Sequence, residues 1–291
     1  MIDLKRNTKG EFVLATGLNS QKWRLYTPNQ KKDFKISRSK FENFLKCEKC
    51  FYLQIVKGLQ PAGIPQFKLN ELTDTLLKKE FDECRTKKTS HKKLIEKKLS
   101  HIIPFDAGLT KITNSKKETI EIPLIDLWRD SIHRGIKARY KNTNILLGGG
   151  VDDIWINTKT NELIIVDYKS QASKKKVSQE TYFAEGSFHD SYKTQLNFYA
   201  YVFKQMRKAG EINNEISKDS YLYVVNGLES EDGFNGNIKF SEDLIYHEIE
   251  TEYLENEFER MINCINSTEI PLSNKSCKNC AYAHQYANIS K

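Results

Sequence analysis

Residues 148–170 read GGGVDDIWINTKTNELIIVDYKS, and this stretch decides the fold. The polar segment 158–161 separates two apolar runs, a pattern that predicts two β-strands joined by a short turn. Side chains alternate between the faces of a strand, and here both faces are apolar. One face carries Ile154, Ile156, Leu163 and Ile165, and the other carries Val151, Trp155, Ile164, Val166 and Tyr168. Such strands are usually central and buried, which favours a sheet covered on both sides.

Three charged residues share one end of this predicted hairpin. If Asn157 pairs with Glu162, then Asp152 lies opposite Asp167, and Lys169 points to the same face as Asp167. Two adjacent carboxylates repel each other unless a cation lies between them, and a hard divalent metal such as Mg²⁺ accepts such oxygen ligands. The lysine can then polarise a water molecule or stabilise charge on a phosphate. A surface hairpin with a salt bridge is the alternative, and the apolar character of both faces argues against it.

The composition adds an excess of positive charge. The 291 residues include 46 Lys+Arg and 38 Asp+Glu, a formal net charge of +8, and 38% are hydrophobic, which is enough for a substantial core. The charge favours a polyanionic partner, although a merely soluble basic protein would show it too. Asp153 alternates onto the face opposite Asp167, where we expect it to pair with a lysine, and we assign it no chemistry.

The sequence predicts a cytoplasmic protein without membrane contact. No apolar run approaches the roughly 18 residues that span a bilayer. The opening residues MIDLKRNTKGEF lack the apolar stretch of a signal peptide. In a reducing compartment the six cysteines are expected to be thiols or metal ligands rather than disulfides.

Helical and strand periodicities alternate along the chain after a polar extension at 1–35. Apolar spacing predicts helices near 37–56, 69–85, 124–136, 191–208 and 252–265, with a basic, mostly helical stretch at 87–101. Besides the hairpin, strands are predicted at 220–227 and 244–250. This order indicates an α/β fold, with a mixed central sheet flanked by helices and helical additions at the front and back.

Gln195 and Tyr199 share a face of the helix that follows the hairpin, because they are four residues apart. Gln195 could hydrogen-bond a phosphate, a base or a metal-bound water molecule. A surface glutamine beside a core tyrosine is the alternative. The position of this helix directly after an acidic hairpin and a lysine-rich loop leaves both interpretations open.

The ordered set of G-x-D, a hairpin, D-x-K and Q-x-x-x-Y resembles the PD-(D/E)XK nuclease superfamily. It is most similar to the RecB-like branch, which includes the CRISPR adaptation exonucleases and AddB. The matching segments are Gly150-Val151-Asp152, Val166-Asp167-Tyr168-Lys169 and Gln195-Leu196-Asn197-Phe198-Tyr199. Upstream, Ser37-Arg38-Ser39, Phe44-Leu45-Lys46-Cys47 and Phe51-Tyr52-Leu53 are similar to the opening helix of the branch.

The resemblance implies a restriction-endonuclease-like core with helical N-terminal and cysteine-bearing C-terminal additions, in one domain at 36–291. Asp152, Asp167 and the backbone carbonyl of Tyr168 would bind Mg²⁺ or Mn²⁺. The branch usually supplies a further histidine or glutamate from the helix before the sheet. Asp74 is nearest to that role here, and Glu71, one turn away, is the alternative; an exposed helix residue is the other interpretation of Asp74.

The same resemblance assigns the remaining residues of the site. Lys169 would orient or activate the attacking water, while Gln195 and Tyr199 would position DNA or the water shell of the metal. The lysines directly after the hairpin would follow the phosphates of DNA without reading its sequence: Lys174, Lys175 and Lys176.

Two C-x-x-C motifs lie far apart, Cys47 with Cys50 on the predicted opening helix and Cys277 with Cys280 near the C-terminus. Four thiolates in two pairs suit a structural zinc ion or an iron–sulfur cluster. The resembled nucleases often hold a cluster with one early and three late cysteines. Here the third late cysteine is absent, the nearby positions being His284 and Tyr286, and Cys50 could supply the missing ligand. Zinc, a metal-free remnant and two unrelated thiol pairs remain alternatives.

These expectations combine into a metal-dependent nuclease that hydrolyses single- or double-stranded DNA in repair, recombination or phage and defence processing, alone or in a larger complex. The alternatives are a non-cleaving nucleic-acid-binding module and a metal-stabilised structural subunit with the same fold. The structural subunit would need the cysteines but not the carboxylates.

Overall fold

The alternation of helices and strands expected from the sequence is present in the computed structural model. The structure describes residues 4–61, 67–174, 176–184, 189–231 and 233–290. In chain order its elements are β1 (Phe34–Ser37), α1 (Arg38–Lys46), α2 (Glu48–Ile55), α3 (Lys68–Lys87), α4 (Lys92–Glu96), β2 (Ile102–Pro104), β3 (Leu109–Thr113), β4 (Thr119–Pro123), α5 (Leu124–Arg129), β5 (Ile136–Arg139), β6 (Ile145–Gly149), β7 (Asp153–Asn157), β8 (Glu162–Ala172), α6 (Gln179–Tyr182), α7 (Asp190–Lys208), β9 (Ile216–Leu228), β10 (Lys239–Glu248), α8 (Glu252–Asn266) and α9 (Lys278–Ile289).

Within the described residues, five strands form the central sheet in the order β10-β9-β8-β7-β2. The predicted hairpin is β7 and β8, which pair antiparallel from Asn157 opposite Glu162 to Asp153 opposite Val166, so the expected register is confirmed. Asn161 adopts a left-handed backbone (φ 60°) in the turn between them. The sheet is mixed, because β9 runs parallel to β8 whereas the other neighbours pair antiparallel.

Helices cover both faces of this sheet. On one face α3 and α4 share a buried cluster with the strands, made of Leu77, Phe81, Leu94, Ile102, Trp155, Ile164, Val166, Tyr168, Tyr221, Tyr223, Val225 and Leu244. On the other face α7 lies along β8, since Gln195 hydrogen-bonds Asp167, whose side chain alternates away from that cluster. A mixed sheet between helices is the α/β core that was expected, and burial on both faces accounts for the apolar runs of the hairpin.

The chain divides into two compact units. The larger unit comprises Phe67–Lys141 and Leu146–Thr251 and contains the central sheet. The smaller unit comprises Met1–Gln66, Asn142–Ile145 and Glu252–Lys291. Its helices α1, α2 and α8 share a buried aromatic core of Phe41, Phe44, Phe51 and Phe258.

The opening helix differs from its prediction. It begins as expected at Ser37, whose hydroxyl accepts a hydrogen bond from Lys40 N–H at 3.3 Å. One continuous helix over 37–56 is wrong, because Cys47 adopts an extended backbone (φ −161°, ψ 105°) that separates α1 from α2. The break leaves the Cys47 sulfur 3.8 Å from that of Cys280, so a contact distant in sequence prevails over local helix propensity.

Two other helices are shorter than predicted. α5 ends at Arg129 instead of continuing to 136, because the Asp130 carboxylate accepts a hydrogen bond from His133 N–H at 2.9 Å and so competes with the helical pattern. Of the basic stretch at 87–101, only Lys87, the last residue of α3, and the short helix α4 are α-helical. Among the described residues, no helix combines the length and the apolar character needed to cross a membrane.

Candidate active site and cysteine cluster

The end of the β7–β8 hairpin brings Asp152 and Asp167 together. Asp152 directly precedes β7, and its Oδ2 accepts a hydrogen bond from Tyr168 N–H at 2.9 Å. This bond holds Asp152 beside β8 although the strand ladder ends one residue later. The Asp152 side chain is 26% exposed, whereas Asp167 is buried. The pair therefore consists of one carboxylate open to solvent and one enclosed by protein.

Both oxygens of Asp167 have a neighbour. Oδ1 accepts a hydrogen bond from Gln195 Nε2, and Oδ2 forms an ion pair with the Lys169 ammonium. Oδ2 receives no hydrogen bond of good geometry from the described part of the chain. Burial and, after it, the negative charge of Asp152 raise the pKa of Asp167 to about 7. A cation at this point would stabilise the charged form that burial disfavours.

Lys169 is held by groups on two sides. Its ammonium donates to Gln195 Oε1 at 3.3 Å and lies 4.4 Å from the centre of the Tyr192 ring. Burial acts to lower the pKa of Lys169, but the carboxylates of Asp167 and Asp152 outweigh it and raise this pKa. Lys169 is therefore cationic at neutral pH. The sequence signal for the aromatic contact is the i, i+3 spacing of Tyr192 and Gln195 on α7.

Tyr199 packs against the strand that leads to the site. A Cβ placed on Gly149 would lie 2.9 Å from Cε1 of Tyr199, so glycine lets the ring approach β6. A Cβ on Gly150 would lie 2.6 Å from the backbone oxygen of Arg129. The two glycines thus allow α7 and the end of α5 to approach the backbone just before Asp152.

Helix α3 adds a third carboxylate and a lysine. The Lys78 ammonium lies 2.7 Å from Asp74 Oδ2 and 3.6 Å from Asp152 Oδ1. Burial, followed by the charge of Asp152, raises the pKa of Asp74. Lys78 therefore takes the place between two acids that a metal cation would take. Glu71, the alternative ligand, is exposed and pairs with Lys68 at 2.8 Å.

Asp153 is buried on the opposite face and pairs with arginines, so the expected lysine partner is wrong. Its Oδ1 lies 2.5 Å from Arg85 Nη2 and 3.5 Å from Arg129 Nη2, while the Tyr168 hydroxyl donates to its Oδ2 at 2.7 Å. Arg129 Nε also donates to the backbone oxygen of Asp152 at 3.0 Å. Two arginines suit this position because a buried carboxylate needs several hydrogen-bond donors, which the guanidinium supplies. The network ties α3 and α5 to the start of β7.

The sequence does contain a signal for this network. Leu77, Phe81 and Arg85 follow one another at four-residue intervals on α3, and all three are buried. An arginine in an apolar stripe predicts a buried acidic partner. Asp82 adds to the network by accepting hydrogen bonds from Arg129 at 2.8 and 3.0 Å.

The oxygen donors at the hairpin suit a hard divalent cation such as Mg²⁺ or Mn²⁺. They are not gathered around one point. Within the described residues, the one group of three or more His, Cys, Asp or Glu ligand atoms that lie within 4.8 Å of one another consists of cysteines. Lys78 lies between Asp74 and Asp152, so a metal bound by Asp74, Asp152 and Asp167 together requires this lysine to move.

The basic loop after β8 lies at the surface. Lys174 and Lys176 are exposed, and Lys175 lies outside the described residues. Lys174 forms an ion pair with Glu229 at 2.9 Å. It also borders a cleft of about 550 Å³ at the ends of β8 and β9, together with Ser170, which directly follows the candidate catalytic lysine.

The two C-x-x-C motifs meet in the smaller unit. The sulfur of Cys50 lies 3.5 Å from that of Cys277 and 3.3 Å from that of Cys280, and Cys47 lies 3.8 Å from Cys280. All four sulfur atoms fall within 4.8 Å of one another. Cys47 and Cys277 occupy the N-cap positions of α2 and α9, and the second cysteine of each pair lies in the first turn. Helix N-termini favour thiolates.

These thiols influence one another. Burial opposes ionisation of Cys47, but hydrogen bonds from the backbone N–H groups of Cys50 and Asn274 lower its pKa to about 7. Burial and then the neighbouring sulfur atoms raise the pKa of Cys50. Four thiolates this close repel one another, so a bound cation is needed to keep all of them ionised. The remaining cysteines, Cys84 and Cys264, are outside the group.

The chain matches the family model of the PD-(D/E)XK nuclease superfamily over residues 35–285. The match covers well over half of the 291 residues and includes the acidic hairpin, α7 and both C-x-x-C motifs. No curated protein matches the chain significantly.

Proposed function

The chain belongs to the PD-(D/E)XK nuclease superfamily, and from this premise we propose that it is a Mg²⁺- or Mn²⁺-dependent deoxyribonuclease. The reaction is phosphodiester hydrolysis, in which water attacks phosphorus and the bond from phosphorus to the leaving sugar oxygen breaks. The observation that carries the proposal is that Asp152, Asp167 and Lys169 lie close together at the end of the β7–β8 hairpin.

Asp152, Asp167 and the backbone carbonyl of Tyr168 hold the metal in this proposal, with Asp74 as a further ligand. The raised pKa of Asp167 and the proximity of Asp152 support it, because two close carboxylates lose their mutual repulsion when they share a cation. When bound, the ion would polarise the scissile phosphate and make its water a better nucleophile. Asp74 is preferred over Glu71 because it interacts electrostatically with Asp152.

Lys169 offsets negative charge on the phosphate and orients the attacking water. Its charge is supported by the two carboxylates beside it. Gln195 binds both Lys169 and Asp167, so it acts as a positioning residue for these two groups. Tyr199 lies on the same face of α7 as Gln195 and helps to position this face for DNA. Its packing on Gly149 fits this role.

The positive charge of the chain binds the phosphates of the DNA in this proposal. The formal charge of +8 supports a polyanionic substrate, single- or double-stranded. Lys174, Lys175 and Lys176 follow the backbone beside the site, and the exposure of Lys174 and Lys176 supports this assignment. The order of the motifs favours the RecB-like branch, with a cytoplasmic role in repair, recombination or phage and defence processing, alone or in a larger complex.

The decisive experiment incubates purified protein with Mg²⁺ or Mn²⁺ and four DNA substrates: linear and circular, each single- and double-stranded. Cleavage that requires the metal and disappears in Asp167→Asn supports the proposal. Glu83→Gln is the matched control, since it neutralises an exposed acid of the same helix that is not a candidate ligand. Metal-dependent DNA binding without cleavage of any substrate would instead assign the chain to the non-cleaving binding modules.

A further inference from the structure

We propose that Cys47, Cys50, Cys277 and Cys280 bind a single zinc ion rather than the iron–sulfur cluster that the family resemblance implies. The inference concerns the smaller unit and does not depend on the proposed nuclease activity. It rests on the distances between the sulfur atoms, on the positions of the cysteines at two helix starts, and on the number of thiols available.

Three of the six separations between the sulfur atoms are close to those between the corners of one small tetrahedron. Zinc binds thiolates at about 2.3 Å, which places the sulfur atoms of a tetrahedral site about 3.8 Å apart. The observed separations are 3.8 Å for Cys47–Cys280, 3.5 Å for Cys50–Cys277 and 3.3 Å for Cys50–Cys280. All remaining pairs lie within 4.8 Å as well. One ion can therefore contact all four sulfur atoms after small side-chain adjustments.

An iron–sulfur cluster requires more space than this. Its thiolates are distributed over two or more iron atoms, and inorganic sulfides bridge those atoms. Thiolates on different irons are consequently farther apart than two thiolates on the same ion. Here each C-x-x-C motif approaches the other as closely as sulfur atoms on one ion would, since Cys50 of the first motif contacts both Cys277 and Cys280.

The local backbone explains why Cys50 replaces a third late cysteine. Each motif straddles the start of a helix, with one cysteine at the N-cap and the other in the first turn. This geometry supplies two ligands from each helix start, so the tail needs no further cysteine. His284 lies on the exposed α9 next to Asn288, at 3.3 Å, and is not in the group of ligand atoms.

Four thiolates fill every position of a tetrahedral zinc ion, which makes the site structural rather than catalytic. The ion would join the start of α2 to the start of α9, between residues 227 positions apart in the sequence. Asn274 already connects the same regions by donating to the backbone oxygen of Lys46 at 2.9 Å. Zinc is favoured over a lone ferrous ion by the usual order of divalent-metal affinities.

The test measures metal in protein produced with both zinc and iron in the medium and purified without oxygen. We expect one zinc per chain, no inorganic sulfide and colourless protein. X-ray absorption at the zinc edge should show one sulfur shell at about 2.3 Å and no metal–metal scattering. Iron with inorganic sulfide, metal–metal scattering, or neither metal above background would each overturn the proposal.

Variants then identify the ligands. Cys50→Ser should lose the zinc, whereas Cys84→Ser, a thiol outside the group, should keep one zinc per chain. Retention of full zinc by Cys50→Ser would contradict the four-cysteine assignment. If Cys50→Ser is insoluble, the parent protein reconstituted with Co²⁺ provides the answer, because four thiolates around cobalt give an absorption spectrum distinct from sites with fewer thiolates. A spectrum of mixed oxygen and sulfur ligation would overturn the proposal.

Discussion

The ammonium of Lys169 rests against the ring of Tyr192, 4.4 Å from its centre. The same ring stacks on His189, with centroids 5.6 Å apart, and His189 stacks on Tyr182 at 4.0 Å. The candidate catalytic lysine is therefore supported by an aromatic column as well as by Asp167 and Gln195. A ring beside the ammonium stabilises it and restricts where it can point.

Tyr192→Leu is expected to lower the rate of single-turnover DNA cleavage about tenfold, because a cation–π contact contributes about 0.5–2 kcal/mol and 1.36 kcal/mol corresponds to a tenfold change in rate. DNA affinity should change little. Tyr192→Phe keeps the ring and should cleave at nearly the parental rate. An equal loss in both variants would assign the effect to the hydroxyl group instead of the ring.

Removal of any one of the hairpin charges should strongly reduce catalysis without unfolding the protein. Asp152→Ala, Asp167→Ala and Lys169→Ala are each expected to reduce cleavage at least about a hundredfold, the scale of losing one charge-stabilising group. Thermal unfolding followed by circular dichroism checks that the fold survives. Glu83→Ala, which removes an exposed acid of α3 that is not a candidate ligand, should cleave normally. Parental activity of Asp167→Ala would refute the assignment of the site.

Lys78→Met should strengthen metal binding. Its ammonium lies within 4 Å of both Asp74 and Asp152, at 2.7 and 3.6 Å, and so competes with a metal for these carboxylates. Removing the competing charge is expected to tighten Mn²⁺ binding about tenfold, as measured by isothermal titration calorimetry. Lys79→Met removes the same charge from the next, exposed position of α3 and should have a much smaller effect. Weaker binding in Lys78→Met would mean that the lysine supports the site.

Arg85→Met should destabilise the larger unit. Arg85 and Asp153 form a buried ion pair, with side chains 9% and 0% exposed. Removing one partner of such a pair costs about 3–5 kcal/mol of unfolding free energy, which chemical denaturation can measure. Combining it with Asp153→Asn should restore part of that loss, since the buried carboxylate that lost Arg85 is then neutral. Lys87→Met, at the exposed end of the same helix, should be close to neutral.

The basic loop should govern the salt dependence of DNA binding. Replacing Lys174, Lys175 and Lys176 with alanine is expected to weaken binding to unrelated sequences alike. The slope of log affinity against log salt should fall by up to about three, if all three lysines contact phosphates. Glu229→Gln should strengthen binding slightly, because it releases Lys174 from a 2.9 Å ion pair.

A triple variant of other lysines provides the control for this measurement. Lys111, Lys116 and Lys117 are exposed on the β3–β4 hairpin of the same unit, away from the loop in sequence. Their replacement removes the same charge and should leave the salt slope nearly unchanged. Equal losses in both triple variants would indicate a general effect of net charge rather than a DNA path beside the hairpin.

The hairpin was predictable because strand geometry is local. Alternation of period two determines which side chains share a face, and a short polar turn fixes the pairing of Asn157 with Glu162. The same kind of rule places Gln195 and Tyr199 on one helix face. Which of these residues share a face could be predicted from the sequence, because that depends on positions a few residues apart.

Contacts that depend on how a helix lies on the sheet could not be assigned in this way. Arg85 meets Asp153 across 68 residues of sequence, and only the approach of α3 to β7 decides that the partner is an arginine. Lys78 reaches Asp152 for the same reason. The extended backbone at Cys47 likewise depends on a tertiary contact, with a cysteine 233 residues away, against a sequence that favours helix locally.

The composition of the two units has a consequence for synthesis on the ribosome. The larger unit ends at Thr251, whereas the smaller one needs both Met1–Gln66 and Glu252–Lys291. Domains generally begin to fold as soon as their residues have emerged. Met1–Gln66 is therefore synthesised before the larger unit but belongs to a unit that is completed only after it, because the aromatic core of that unit includes Phe258. Until then Cys47 and Cys50 remain without the partners that follow 227 or more residues later.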